Sequence, residues 1–282
     1  SGGPNDGDDE APGMTIEVDS SILAGIAVED GNNARMHTFG NEYQVSYQHP
    51  LAGGTIGIGV EYGHTHFFWN EIGDLPFGNG RDDPWNTLHM FSLDQSYSRP
   101  VYGKWSVMSV ASVSSGFEKE MNQSFEIEGM LGLGYAPNKR WNLWAGVMAS
   151  WHPTGASILP AGGVTWSSSA IEGLVVNVGM PETFVLVPVY RTLSLKAYGG
   201  MDAGTYRLAD DSTVARKGYV DFMAINTGVD LVWNPCDYAE LGLGFLYQPW
   251  GVMTLYDDDG DEIEDYTMSN GLGGRFMLAL FF

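Results

Sequence analysis

The sequence predicts an all-β chain: one transmembrane antiparallel up-and-down β-barrel of about fourteen strands, with twelve as the alternative. Three observations predict it. The chain ends Leu278, Ala279, Leu280, Phe281, Phe282, an aromatic terminus on a strand that alternates apolar with small residues, as the closing strands of bacterial outer-membrane barrels do. Strand-like segments recur along all 282 residues with no amphipathic helix of credible length between them. The links between them sort by parity, short after even-numbered strands and more variable after odd-numbered ones, which is the pattern of periplasmic turns and outer loops.

Taken in order, the segments are 14–28, 34–48, 54–68, 87–98, 104–117, 123–135, 140–151, 157–167, 172–179, 183–190, 192–207, 218–233, 238–248 and 266–282. Two of them, 172–179 and 183–190, are short, and their merging or loss gives the count of twelve. Short turns fall at 49–53, 99–103, 137–138, 168–170, 191 and 234–237, and long loops at 69–86, 209–217 and 249–265. Faces follow from the period of two. Ile56, Ile58, Val60, Tyr62, His64, His66 and Phe68 share one face of the third strand, opposite Gly57, Gly59, Glu61 and Gly63. Phe125, Ile127, Leu131, Leu133 and Tyr135 oppose Glu126, Glu128 and Met130 in the sixth, and Leu241, Leu243, Phe245 and Tyr247 oppose Glu240, Gly242 and Gly244 in the thirteenth. In the last, Phe276, Leu278, Leu280 and Phe282 oppose Arg275. The apolar faces are expected to meet lipid, with Trp141, Trp151, Trp233 and Tyr247 in interfacial girdles.

Composition agrees. There are 38 Gly, 13% aromatic residues and 17% charged residues, the last against a usual share of about 25%. No apolar run reaches the ~18 residues of a transmembrane helix, and a closed barrel is the other way to pair every backbone group in lipid. A mean hydropathy of −0.12 fits a chain in which only alternate residues face lipid. The net charge of −22 excludes nucleic acid as a partner, because no basic face meets phosphate. A single cysteine, Cys236, excludes an internal disulfide. Residues 1–13, acidic and rich in Gly and Pro, read as a flexible N-terminal segment left after removal of a signal peptide, and 14–282 as the barrel.

The stretch 158–206 carries a resemblance. Leu159 with Pro160, a glycine-containing strand over 162–166, Pro181, Tyr190 and a glycine-rich strand over 199–206 that closes at a tyrosine together resemble a group of bacterial outer-membrane β-barrel proteins of unknown function. The resemblance covers mainly 158–282. It implies fold and a Gram-negative-type outer membrane, and it transfers no catalytic or binding residue.

Three constellations bear on chemistry. The first lies on the predicted inward faces, where Glu17, Asp19, Glu42, Glu61, Asp94, Glu126, Glu128, Asp202, Asp230 and Glu240 meet only Lys104, Lys196 and Arg275. Ten acids cannot pair with three bases, so water or cations are expected among them, and the lumen is expected to favour cations. The second is the run Asp257, Asp259, Asp261 about Gly260, a candidate calcium site in an outer loop, since calcium takes six to eight oxygen ligands; an acidic solvated hairpin tip is the competing reading. The third is His64 with His66, two histidines on one strand face that could hold zinc or copper, or serve as interfacial residues.

The expected function is a passive, narrow channel for small solutes. A non-conducting structural or adhesion barrel with ion-binding acidic loops is the alternative. An outer-membrane lipid hydrolase comes last, because Ser92 with Asp94 and Ser150 with His152 lack the third member that a nucleophilic serine needs. No cofactor is expected beyond calcium at the acidic loop. The expected partners are outer-membrane lipids, lipopolysaccharide and, during biogenesis, the barrel-assembly machinery.

Overall fold

The computed structural model describes residues 13–29, 34–180 and 182–282. The elements in chain order are β1 (Gly13–Val28), β2 (Arg35–Leu51), β3 (Gly54–Asn70), β4 (Thr87–Tyr102), β5 (Trp105–Phe117), β6 (Phe125–Asn138), β7 (Trp141–His152) and β8 (Gly155–Ser167). They continue with β9 (Val175–Gly179), β10 (Glu182–Tyr190), β11 (Leu193–Arg207), β12 (Tyr219–Cys236), β13 (Ala239–Tyr256), β14 (Glu262–Ser269) and β15 (Gly271–Phe281). One 3₁₀ turn, Ile72–Asp74, is the only helical element among the described residues. Each strand from β1 to β13 pairs antiparallel with the next, and β15 closes on β1 from Thr15↔Phe281 to Ala24↔Leu272. β14 and β15 share the same two neighbours, β1 and β13, so they are halves of one stave. Asn270, at φ +64°, forms the kink between them. The barrel therefore has fourteen staves, as the sequence predicts. The expected flexible segment 1–13 lies outside the described residues up to residue 12, and Gly13 already begins β1.

The alternation read from the sequence is the alternation of faces. Leu131 is 72% exposed and Leu243 68% on the outward surface, while Glu126, Met130, Gly242 and Gly244 turn inward. Gly244 has a definite reason to be glycine: a Cβ there would sit 1.8 Å from Oδ1 of Asp230.

The two ends differ. Below, Ala52 with Gly53 and Gly103 with Lys104 make two-residue turns. Above, the strands run on past the membrane-height belt and enclose an apolar head. Loop 71–86 folds inward there, and Phe77 and Trp85 pack with Phe67, Trp69, Met253, Tyr266 and Met268. Trp69 Nε1 donates to the Trp85 carbonyl at 2.8 Å, and Trp85 and Leu88 are each 1% exposed. The expected loop 249–265 is mostly strand: β13 runs to Tyr256 and β14 starts at Glu262, leaving a tip at 257–261. Gly251, Met253 and Leu255 are buried in the head, so burial there is supplied by partners that local pattern does not reveal.

One stave departs from the ring. β9 has five residues and pairs with β8 only over Gly163↔Gly179 to Ser167↔Val175. β10 stops pairing with β11 at Glu182↔Gly200. Above that level β11 crosses the mouth of the barrel to β5, where Arg207 pairs in parallel with Phe117 and Glu118 N donates to the Arg207 carbonyl at 2.9 Å. Gly116 permits the crossing, because a Cβ on it would lie 2.1 Å from the Thr205 carbonyl oxygen.

Candidate functional site: a lumen with two unlike walls

The inward faces of β1 to β4 make an acidic wall. Asp19 and Glu42 are register partners on β1 and β2, as are Glu61 and Gln44 on β3 and β2. Asp94 follows on β4 and accepts a hydrogen bond from Ser92 Oγ at 2.9 Å. Lower down, Glu17 and Glu240 flank Ala279 from its two neighbouring strands. Asp202 faces this wall from β11. A cavity of about 220 Å³ lined by Asp19, Glu42, Glu61 and Asp202 shares residues with one of about 500 Å³ lined by Glu182, Tyr198 and Arg275.

Two of the expected cations are inside, and both are engaged. Arg275 binds Asp19 through Nη2 at 2.5 Å and Nε at 2.6 Å, and reaches Asp230 at 4.0 Å. Lys196 binds Glu182 at 2.8 Å. Both cations lie over the Tyr198 ring, at 5.3 Å for Lys196 and 5.6 Å for Arg275. Lys104 is a correction. It sits in the turn between β4 and β5, exposed, donating to the Pro137 carbonyl outside the lumen, because β5 begins only at Trp105. Glu182, missing from the sequence-based set, is the acid that Lys196 uses. Its strand face could not be read without the length of β9. Glu17, Glu42, Glu61, Asp94, Glu126, Glu128, Asp202 and Glu240 form no ion pair among the described residues.

The inward faces of β5 to β8 make a different wall. One register row reads Val110, Met130, Met148, Leu159, and the row below it Met108, Gly132, Gly146, Ala161. Polarity returns above them, with Ser112, Glu128, Ser150 and Ser157, where the two hydroxyls of Ser150 and Ser157 lie 2.8 Å apart, and below them, with Ser106, Asn142 and Thr165. Glu126 and Glu128 therefore belong to the upper rim of the apolar wall, apart from the acids of β1 to β4. Loops 118–124 and 208–218 are stapled where β11 meets β5. Arg207, 1% exposed, binds Asp210 at 2.5 Å and Glu120 at 3.5 Å, and Lys119 binds Asp211 at 2.8 Å. Hydrogen bonds from Arg207 and Lys119 hold Asp210 and Asp211 below the usual carboxylate range, whereas burial pushes Glu118 up.

The histidine pair lies on the outward face. His64 takes part in a cross-strand row in which Ser20 Oγ donates to Asn41 Oδ1 at 2.9 Å and Asn41 Nδ2 meets His64 Nε2 at 3.2 Å. The rings of His64 and His66 are 5.3 Å apart, and His66 Nδ1 meets Thr87 Oγ1 at 2.7 Å. Ser20 is thus hydrogen-bonded to an amide and has no base on its oxygen. The serine and the asparagine were invisible beforehand because the row exists only across three strands in register. Among the described residues, no group of three or more His, Cys, Asp or Glu side chains is arranged to hold a metal ion. At the acidic tip the Asp257 carboxylate accepts the N–H groups of Asp259 and Asp261 at 3.0 and 2.9 Å, closing the turn.

No protein-family profile matches the chain, and no curated protein matches it by sequence. Solved structures do resemble it. The COG4313 outer membrane channel from Pseudomonas putida F1 aligns over 99% of this chain and 100% of its own at 9% identity, TM-score 0.48. The TodX deltaS2S3 mutant monoaromatic hydrocarbon channel aligns over 95% and 90% at 11% identity, TM-score 0.43, and the NanC porin over 94% and 98% at 9% identity, TM-score 0.41. Each of these alignments spans at least 90% of both chains.

Proposed function

We propose that the protein is an integral outer-membrane barrel acting as a passive, narrow channel whose lumen favours cations. The outward belt of Leu, Val, Ile and aromatic side chains would face lipid and lipopolysaccharide. The observation that carries the reading is the acidic wall: carboxylates without cationic partners line contiguous cavities wide enough for water. Fixed charge between low-dielectric walls concentrates counter-ions, and acidic linings are a source of cation preference in pores. A non-conducting barrel is the second reading, and one observation favours it: the apolar head closes the straight path to the outside.

Planar-bilayer recording separates them. Under a salt gradient the reversal potential should lie on the cation side, more so near ~0.1 M than near ~1 M salt, as the Debye length falls from about 10 Å to about 3 Å. Glu42→Gln with Glu61→Gln should reduce it. Absence of single-channel events where a control porin conducts would sink the channel reading.

A further inference from the structure

The strand register leaves a window in the barrel wall. Among the described residues, 155–162 of β8 and 201–204 of β11 have no strand beside them on their facing edges, because β9 and β10 stop short between them; from Thr205 upward the β11 edge meets β5. Pro160 sits on the open edge of β8, where its missing N–H forfeits no ladder bond. The window has a lintel: the hairpin tip after β7 leans across β11 onto β12, where Thr154 Oγ1 donates to Asp221 Oδ2 at 3.1 Å and Pro153 abuts Gly260. Its sill is the top of β9, where Met180 N donates to the Gly162 carbonyl at 3.3 Å.

Depth follows from geometry. At about 3.3 Å per residue and a strand tilt of roughly 40°, the open edge of β8 lies ~13 to ~30 Å above the lower end of that strand. That is the outer half of an apolar belt about 25 Å tall, and the interface above it.

The lining names the traveller. The inward row Val110, Met130, Met148, Leu159 runs straight to the open edge, and Leu159 is 45% exposed although it points into the barrel. Met201, 40% exposed, stands on the opposite rim. Methionine-rich lining accommodates apolar groups of varied shape. Glu128 lies one register step above that row. With the apolar head packed across the upper end of the lumen, the gap between β8 and β11 offers a lateral outlet toward the outer side.

We propose that this window is a lateral portal through which a small amphiphile, apolar in its body and cationic at its head, passes between the lumen and the outer leaflet. The proposal deepens the channel reading and rests on it. In a Cys236→Ser background, single cysteines at Leu159, Glu61 and Leu131 are reconstituted in vesicles. They are exposed to a bilayer-partitioned pyrenylmaleimide or to an aqueous charged maleimide. Leu131→Cys should take only the bilayer reagent, which also reports folding. Glu61→Cys should take only the aqueous one, and Leu159→Cys both. Decyltrimethylammonium at ten times its half-blocking concentration should slow labelling at 159 about tenfold by mass action, and decyl sulfate should not. Labelling of 159 by the aqueous reagent alone overturns the portal while leaving the channel intact. Equal protection by both amphiphiles overturns the cationic head. Dual labelling at 159 in a protein that conducts nothing overturns the channel reading and, with it, passage from lumen to leaflet, and leaves only an opening in the wall.

Discussion

The acidic wall of β1 to β4 and the methionine–glycine wall of β5 to β8 belong to one barrel and have the same backbone, yet they treat a solute in opposite ways. On β1 to β4 the inward positions carry carboxylates that need water or cations beside them. On β5 to β8 the inward positions below the rim of Glu126 and Glu128 carry Met108, Met130, Met148 and small residues that need neither. The inner face of a barrel is thus not polar by necessity. It is only shielded from lipid, and each wall can be specialised separately once β11 stands between their upper halves.

The comparison breaks most readily at β6, where adjacent residues face lipid and lumen. Leu131→Arg should cost about 2–4 kcal/mol if that face is in the bilayer, and should sharply reduce the heat-modifiable folded form. Met130→Arg, one residue away on the methionine wall, should fold nearly normally because water can reach it. Equal damage from both would mean that the methionine wall is a dry core. The partition is tested next. Gly116→Val places a side chain against the Thr205 carbonyl, an overpacking expected to cost about 1–3 kcal/mol and to force β11 off β5. Conductance should then rise and cation preference fall as the two compartments merge; unchanged currents in a folded variant would mean that β11 partitions nothing. The smallest effect concerns pH. The folded-state pKa values of Asp210 and Asp211 are depressed, so their contribution is present above the ordinary aspartate value near ~3.9 and is lost as pH falls through the lower folded values. Protection factors for the amides of 208–218, taken against the intrinsic exchange rate at each pH, should be flat at neutral pH and fall in acid, and Asp210→Asn should weaken that dependence. The change is small because water and salt screen exposed pairs.

The legible part of this molecule is whatever repeats every two residues. The faces of β3, β6, β13 and β15, the short lower turns and the closing aromatic strand all follow from local alternation. What escaped is non-local. The pairing of Arg207 with Phe117 joins residues ninety apart, and the only hint of it was an inward glycine at 116. Loop 71–86 reads as solvent-exposed, although Phe77 and Trp85 marked it as a segment with something to bury. The chain from Ser20 through Asn41 to His64 needs register between three strands, which alternation does not supply. Lys104 was misplaced by one turn residue, enough to move a charge out of the lumen.

The aromatic head has a practical consequence. Trp69 and Trp85 are shut inside it at 8% and 1% exposure, while Trp105, Trp141, Trp151 and Trp233 stand on the outward surface, each at least 42% exposed. Lipids brominated along their chains quench only the fluorophores they touch, so emission should divide into a quenched outward population and an unquenched inner one. A single denaturant titration, read with and without bromine, would then report two melting events from one chain: the staves leaving the bilayer and the cap above them coming apart.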